Sequence, residues 1–330
     1  MEQESAQDRI IAEFKSDVEK MFPDLPVAEW GYGFDYHASI GASNYLYRKS
    51  KYFVDPANKT FFHLTSYSSF YAIINSATIR LYNLLNSKDE NELDSYAEAG
   101  LTTDQIKNIK EGIFSFSSCE TSDIESKQMW KNYGKVAIVF EIINDPKKWN
   151  NFHFAKVEYK RGEFSKYFAL ESHYRERYKA PFRFESLSKL IAFHKIPTLD
   201  WESEVRLLYT PSLRSIYEEG IYDDFRASEY HTGHTKYIEL PLYVDPTDKP
   251  GYSYKWLRHT SKANADDLIS KPLLKIKTVI FGDNEDHMDQ ARFNELRPEI
   301  DHYVAERLGY RVDIQHHLFD TGVKKNSGQE

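Results

Sequence analysis

A histidine and a threonine stand two residues apart in the segment FFHLTSYSSFYAIINSATIRLY, which spans residues 61–82. The segment predicts a strand, then a helix capped by Ser66, then a second strand. Strand alternation places His63 and Thr65 on one face, beside the free N–H groups that begin the helix. Such a junction could hold an anion or hydrogen-bond ribose hydroxyls. A buried core histidine beside a threonine in the helix cap explains the same residues and stays open.

Two carboxylates begin the segment DWESEVRLLY, residues 200–209. In a strand, Glu202, Glu204 and Arg206 share one face, opposite Val205. A carboxylate that faces a cleft could stabilise a developing positive charge. The alternative is an edge strand in which Glu204 and Arg206 form ordinary ion pairs.

Serines and aromatic residues alternate in the segment SFSSCETSDIESKQMWKNYG, residues 115–134. Ser115 and Ser117 share one strand face, and Trp130 and Tyr133 share one helical face. Rings beside small hydroxyls could enclose a flat heterocycle such as nicotinamide. The alternative is an aromatic anchor of the core before the strand VAIVF.

Signals for other chemistries are weak. The histidines at 231, 234, 316 and 317 lack a partner set with recognised ligand spacing, so no metal is predicted. The sequence contains no G-x-x-x-x-G-K-[ST] and no G-x-G-x-x-G phosphate-binding loop, and no G-x-S-x-G elbow. Cys119 is the only cysteine, which excludes a disulfide within the chain and predicts a small buried residue.

Composition predicts a cytoplasmic protein with a substantial core. Of the 330 residues, 41% are hydrophobic and 15% aromatic. No run of about 18 apolar residues predicts a membrane span, and the N-terminus lacks a signal-peptide pattern. A net charge of −8 argues against tight nonspecific nucleic-acid binding. Cations interleaved with rings over residues 156–184 nevertheless suit a single strand, unless they form an ordinary solvated surface.

The periodicity predicts one mixed α/β domain with helical insertions. Residues 1–58 form an amphipathic helix and an extended connection, residues 59–319 form the domain, and residues 320–330 form a flexible tail. Thr103 is predicted to cap a helix in the polar segment 84–112. Residues 160–195 are predicted to be largely helical, and the role of both helical segments stays open.

The segments in this order resemble a large bacterial family of unknown function, with S-F-S, then M-W-x-x-Y, then W-x-x-E-x-R. The resemblance covers residues 61–319, and MWKNYG and WESEVRLL are its specific parts. Residues 86–92 depart from the N-D-P-x-E pattern that is common there. The order also resembles the ADP-ribosyltransferase superfamily, which includes poly(ADP-ribose) polymerases, RNA 2′-phosphotransferases and DarT-like toxins.

The second resemblance implies a split mixed β-sheet and roles in NAD binding. His63 and Thr65 would hold a ribose of NAD, with Tyr71 among the cofactor-binding residues. The nicotinamide side would be lined by Ser117, Trp130 or Tyr133. Catalysis would rest on Glu204 together with His63, and Glu202 and Arg206 would face the substrate.

The resemblance therefore implies an NAD-dependent mono-ADP-ribosyltransferase, a toxin or anti-phage effector that modifies RNA, DNA or a protein and has an antitoxin partner. Loss of nicotinamide leaves positive charge on the ribose, which one carboxylate can stabilise. The hypothesis requires His63 and Glu204 to face one cleft. Two alternatives are a non-catalytic nucleotide- or partner-binding sensor and a metal-dependent nuclease that uses Glu202, Glu204 and a histidine.

Overall fold

The computed structural model of the chain describes residues 6–32, 35–39, 47–86, 101–159, 164–184, 187–195, 197–211, 222–228, 231–244, 270–282 and 288–317. The predicted tail at 320–330 and much of the segment 84–112 lie outside these residues. The described part is a mixed α/β structure with one large sheet, which confirms the mixed α/β fold class.

The described helices follow the apolar periodicity of the sequence. In the first, Ile11, Phe14 and Val18 are buried at helical spacing. In the second, Ser66 accepts a hydrogen bond from the N–H of Ser69, so the predicted cap is confirmed. The helices are α1 (Ala6–Met21), α2 (Tyr67–Ser76), α3 (Thr103–Gly112), α4 (Lys127–Tyr133), α5 (Phe164–Tyr178), α6 (Leu187–Ala192) and α7 (Gln290–Leu308).

The cap of α3 differs from the prediction by one residue. The Thr102 side chain accepts from the N–H of Gln105, and the Gln105 side chain accepts from the N–H of Thr102. This reciprocal pair satisfies two free N–H groups at once, whereas Thr103 lies inside the helix. The prediction for Thr103 is therefore wrong.

The described residues form thirteen strands. They are β1 (Ala28–Tyr32), β2 (Asp35–Ser39), β3 (Phe61–Thr65), β4 (Thr78–Asn83), β5 (Phe114–Glu120), β6 (Val136–Ile142), β7 (Phe152–Lys156), β8 (Phe182–Phe184), β9 (Glu204–Tyr209), β10 (Tyr222–Ser228), β11 (His231–Pro241), β12 (Leu274–Gly282) and β13 (Asp313–His317).

The large sheet has the order β10-β11-β4-β5-β3-β6-β12-β13, and β9 joins β5 to β7. Its described ladders are antiparallel except that between β12 and β13, which is parallel. A smaller sheet has the order β1-β2-β8.

The large sheet is covered on both faces. We name its faces after two residues. The His63 face carries Phe61, Phe116 and Val205, which pack in one core cluster with the buried residues of α2 and α7. The Glu204 face carries Phe62 and Cys119, which pack against Met129 and Trp130 of α4.

A second cluster on the Glu204 face joins the N-terminus to the helical segment. Leu208 of β9 and Ala155 of β7 pack there with buried residues of α1, α5 and α6. Phe14 of α1 makes edge contacts with Tyr174 of α5 and Phe182 of β8. Residues of the predicted N-terminal region and of the range 164–193 therefore share one core. No described helix is both long enough and apolar enough to cross a bilayer.

Candidate functional site

The large sheet divides at strand β5, and we call this division the fork. Along one edge β5 pairs with β9 from Phe114 to Cys119. Its other edge is shared, because β4 pairs with Phe114 and Ser115, while β3 pairs with Cys119 and Glu120. Strands β3 and β4 therefore diverge on either side of residues 116–118.

The register across the fork decides which side chains share a face. Phe62 is the partner of Cys119, and Cys119 is the partner of Glu204. Directly opposite residues of antiparallel strands point to the same face, and neighbours along a strand point to opposite faces. His63 and Thr65 therefore point away from Glu204, to the other face of the sheet. The prediction that His63 and Glu204 line one cleft is wrong.

His63 contributes to the packing at the fork. Its Nδ1 lies 2.8 Å from the carbonyl oxygen of Ser117, and its ring centroid lies 4.6 Å from that of Phe116. Thr65 is 7% exposed. Tyr71 lies on α2, which covers the same face, and its ring contacts Tyr303 of α7. These three predicted cofactor residues thus lie on the face opposite Glu204.

Glu204 and Arg206 form the centre of a buried ion network on the Glu204 face. The Nε and Nη2 atoms of Arg206 donate to the Glu204 carboxylate at 2.7 and 3.2 Å. The third guanidinium nitrogen, Nη1, donates to the carbonyl oxygen of Ala192 at 2.7 Å. Lys195 Nζ lies 2.7 Å from one oxygen of Glu204 and 2.7 Å from one oxygen of Glu202. Two carboxylates are thus balanced by two cations.

The network fixes the charge of Glu204. Burial alone would raise the pKa of this carboxyl, but the charges of Arg206 and Lys195 outweigh burial and lower the pKa well below its usual range. The N–H of Glu204 also donates to the hydroxyl of Tyr159 at 2.9 Å. Glu204 is therefore a held, ionised carboxylate with 3% of its surface exposed.

Tyr133 connects the buried carboxylate of Glu202 to the surface. The Tyr133 hydroxyl donates to Glu202 Oε1, and the Tyr133 ring lies nearly parallel to that of Trp201, with centroids 6.1 Å apart. Burial and this hydrogen bond to a carboxylate raise the pKa of Tyr133. Tyr133 is 36% exposed. We call Tyr133, Trp201 and Glu202 the mouth of the network.

Trp130 does not belong to this mouth. Its side chain is buried, its indole N–H donates to the carbonyl oxygen of Ile124, and its ring stacks on His317. The alternative of an aromatic core anchor therefore describes Trp130, although Tyr133 on the same helix reaches the mouth.

The two serines of β5 lie on the Glu204 face. Ser117 is exposed and is the cross-strand partner of Arg206. Ser115 is the partner of Leu208, and its buried Oγ has no hydrogen-bond partner among the described residues. Of the predicted residues, Ser117, Tyr133, Glu202, Glu204 and Arg206 therefore come together on one face.

Three members of the site were not predicted. Trp201 is the first residue of the W-x-x-E-x-R motif, and that motif is the sequence signal for it. Lys195 and Tyr159 carry no local signal, because a lysine or tyrosine near a helix end is ordinary. Only the fold places Lys195 between two carboxylates.

The network leaves little room for the nuclease hypothesis. A metal ion at Glu202 and Glu204 would have to displace the Lys195 ammonium, which contacts both carboxylates. Within the described ranges, no group of three or more His, Cys, Asp or Glu residues is arranged to hold a metal ion.

Two arginines of α5 form ion pairs with glutamates. Arg177 Nη1 lies 3.0 Å from Glu13 Oε1 of α1, and Arg175 pairs with Glu171 one turn away. This part of the stretch 156–184 is thus an ion-paired helix against α1, which weakens the prediction of a nucleic-acid surface there.

A buried histidine near the network gives the fold a testable pH dependence. His153 is 2% exposed, and its ring contacts that of Tyr47. In the part of the chain that the structure describes, its Nδ1 has no hydrogen-bond partner. Burial lowers the pKa of His153 well below 6.5, and the charge of Lys189 adds to this. Above the pKa of His153 in the unfolded chain, the ring is neutral in both the folded and the unfolded state, so the free energy of unfolding has its full value. Below it, only the unfolded chain binds the proton, so stability falls as pH falls.

Urea unfolding of the wild type and of His153→Phe between neutral pH and about pH 5.5 checks this expectation. The wild type should lose up to about 1.4 kcal/mol per pH unit more than the variant. Equal slopes in the two proteins would contradict it.

Comparison of the chain with protein-family models, with curated proteins and with solved structures finds no match in any of the three.

Proposed function

We propose that the protein binds a nucleotide on the Glu204 face, at the mouth formed by Tyr133, Trp201 and Glu202. One observation carries the proposal: two nearly parallel rings lie beside a carboxylate that the ammonium of Lys195 holds in place. A base can stack on the accessible ring, and sugar hydroxyls can donate to the remaining lone pairs of Glu202. The exposed hydroxyl of Ser117, on the same face, adds a further donor and acceptor.

NAD is the nucleotide to test first. The order of the chain's segments resembles that of NAD-using transferases, and Tyr133, Trp201 and Glu202 meet at the mouth although 69 positions separate Tyr133 from Glu202.

A transferase that uses His63 and Glu204 in one cleft is ruled out, because the two side chains point to opposite faces of the sheet. ADP-ribosyl transfer from NAD with Glu202 as the carboxylate is therefore the second candidate function. One observation favours it: the strands that carry the H-x-T, S-F-S and W-x-x-E motifs, β3, β5 and β9, are neighbours in the sheet. In this version Glu202 would stabilise the positive charge that develops as nicotinamide leaves. His63 would act indirectly, through its contact with the Ser117 carbonyl.

Tyr133→Ala is expected to weaken NAD binding roughly five- to 150-fold, the range for loss of one stacked ring. Tyr71→Ala is a matched control, because Tyr71 is similarly exposed at 42% but lies on the opposite side of the sheet. Calorimetric titration with NAD measures both. Loss of affinity in Tyr71→Ala, with none in Tyr133→Ala, would place the site on the His63 face and overturn the proposal.

Release of nicotinamide separates the two candidate functions. Wild-type protein with NAD and with lysate, RNA or DNA as acceptor should release nicotinamide if the protein is a transferase. Glu202→Gln should then keep NAD affinity and lose release. Binding without release in any mixture would support the binding function alone. Glu204→Gln is less suitable because it removes the charge that Arg206 and Lys195 share, whereas Glu202→Gln leaves Lys195 paired with Glu204.

A further inference from the structure

An aromatic strip lies on the Glu204 face, on the other side of the fork from β3. Ile79 and Leu81 of β4, and Ile238 of β11, pack into the core of the His63 face. Alternation therefore turns their neighbours to the Glu204 face. We call these neighbours the tyrosine strip; they are Arg80, Tyr82, Tyr237 and Glu239.

The strip presents the Arg80 guanidinium and part of the Tyr82 ring at the surface, over the buried ring of Tyr237. The rings of Tyr82 and Tyr237 are 5.6 Å apart between centroids. Arg80 Cζ lies 4.2 Å above the Tyr237 ring, and Arg80 Nε lies 3.5 Å from Glu239 Oε1. The Arg80 side chain is 41% exposed. The guanidinium thus offers a flat, weakly hydrated surface beside the ring of Tyr82.

The strip leads along β5 to the ion network. Tyr82 is the partner of Ser115, Ser117 is exposed, and Cys119 is the partner of Glu204. Four residues of a strand span about 13 Å. A ligand on the strip that also reaches the mouth must therefore be longer than one base, and a short single strand has that length.

We propose that the tyrosine strip binds single-stranded nucleic acid by stacking of its bases. This proposal deepens the proposed function and rests on it in one respect. It makes the bound strand the substrate, because the nucleotide next to the stacked bases reaches the mouth. The exposed guanidinium of Arg80 and the half-buried ring of Tyr82 form a sequence-tolerant platform for bases, because every base has a π-face. Glu239 partly balances Arg80, so stacking supplies more of the affinity than phosphate neutralisation does. A duplex hides its base faces and should bind poorly.

Fluorescence anisotropy of a labelled mixed-sequence oligonucleotide, as single-stranded RNA, single-stranded DNA or duplex, tests the proposal without NAD. Tyr82→Ala should weaken single-strand binding roughly five- to 150-fold, and Tyr82→Phe should keep it. Arg80→Ala gives a second, independent loss should Tyr82→Ala fail to fold.

Arg177→Ala is the matched control, because Arg177 also lies over a tyrosine ring, at 4.9 Å from that of Tyr178, and also pairs with a glutamate. It should bind like the wild type.

Four results would overturn the proposal: no single-strand binding by the wild type, stronger binding of duplex, an unchanged affinity in both Tyr82→Ala and Arg80→Ala, or an equal loss in Arg177→Ala. Failure of the NAD experiment alone leaves these readouts intact, since no nucleotide cofactor is present in them. The two proposals can therefore fail separately.

Discussion

Arg206→Met is expected to lower the free energy of unfolding by about 3–5 kcal/mol, the cost of breaking a buried ion pair by removing one partner. Arg206 is 1% exposed and makes two hydrogen bonds to the Glu204 carboxylate and one to the Ala192 carbonyl oxygen. Methionine fills part of the volume but leaves Glu204 with Lys195 as its remaining cation in the network. Urea unfolding at neutral pH measures the loss.

Lys277→Met is the matched control for charge removal. Lys277 pairs with Glu141 at 3.5 Å with 46% of its side chain exposed, so its loss should cost below about 1 kcal/mol. The double variant Glu204→Met with Arg206→Met should recover part of the loss, because it removes the uncompensated charge. A loss in Arg206→Met no larger than in Lys277→Met would contradict the account of the network.

The pH dependence of the stability of Arg206→Met gives a second check on the ion network, and the lowered pKa of Glu204 sets its direction. The pKa of Glu204 is lowered in the folded state, so its ion pairing stabilises the fold above the unfolded-state value of about 4.5 and is lost as pH falls below it. Removing Arg206 removes the largest cause of that lowering. The variant should consequently show a shallower loss of stability in acid than the wild type.

The sequence predicts the helices and strands of this protein better than it predicts how they pack against one another. Ser66 as a helix cap, the alternating strand FSFSS and the apolar strand VAIVFEI are local features, and each lies where periodicity and capping place it. Alternation also places Glu204 and Arg206 correctly on one face of β9. Glu202 lies outside that strand, in the 3-10 helix Pro197–Glu202, so its contact with Lys195 is a result of the fold and not of alternation.

The error over His63 and Glu204 arises because the two residues lie on different strands. Alternation within each strand cannot say which face of one strand matches which face of another. That relation depends on the register through β5, where Cys119 faces Phe62 on one side and Glu204 on the other. A shift of one residue in either ladder would have put His63 on the face of Glu204. Register depends on the core residues of the whole sheet, so no local pattern contains it.

Lys195 shows a different limit. Its ammonium contacts two carboxylates, seven and nine positions later in the chain. The Lys195 N–H donates to the Glu158 carbonyl oxygen, and this hydrogen bond fixes the end of the segment that follows α6 over β9. Sequence spacing of seven and nine suggests no contact outside a helix. The contact exists because tertiary packing brings the segment back across the strand.

Gly134→Ala is expected to be among the most damaging single changes in the chain, at about 2–6 kcal/mol. Gly134 ends α4 with φ +155°, and a Cβ at this position would lie 2.3 Å from the carbonyl oxygen of Thr65. Backbone strain of this kind costs about 1–3 kcal/mol and overpacking a further 1–3 kcal/mol. The neighbouring residue also donates its N–H to that same oxygen, so a shift would break the junction of β3 and β6.

Gly112→Ala provides the matched control for Gly134→Ala, because a Cβ at Gly112 meets no atom within 4 Å. It should be neutral, or stabilising by up to about 1 kcal/mol, since alanine is favoured over glycine in a helix. Thermal and urea unfolding compare the two variants. Because α4 carries Tyr133, Gly134→Ala should also weaken ligand binding at the mouth even at temperatures where the protein stays folded. Full stability of Gly134→Ala would mean that α4 and β3 do not meet as described, and the position of the mouth would fall with it.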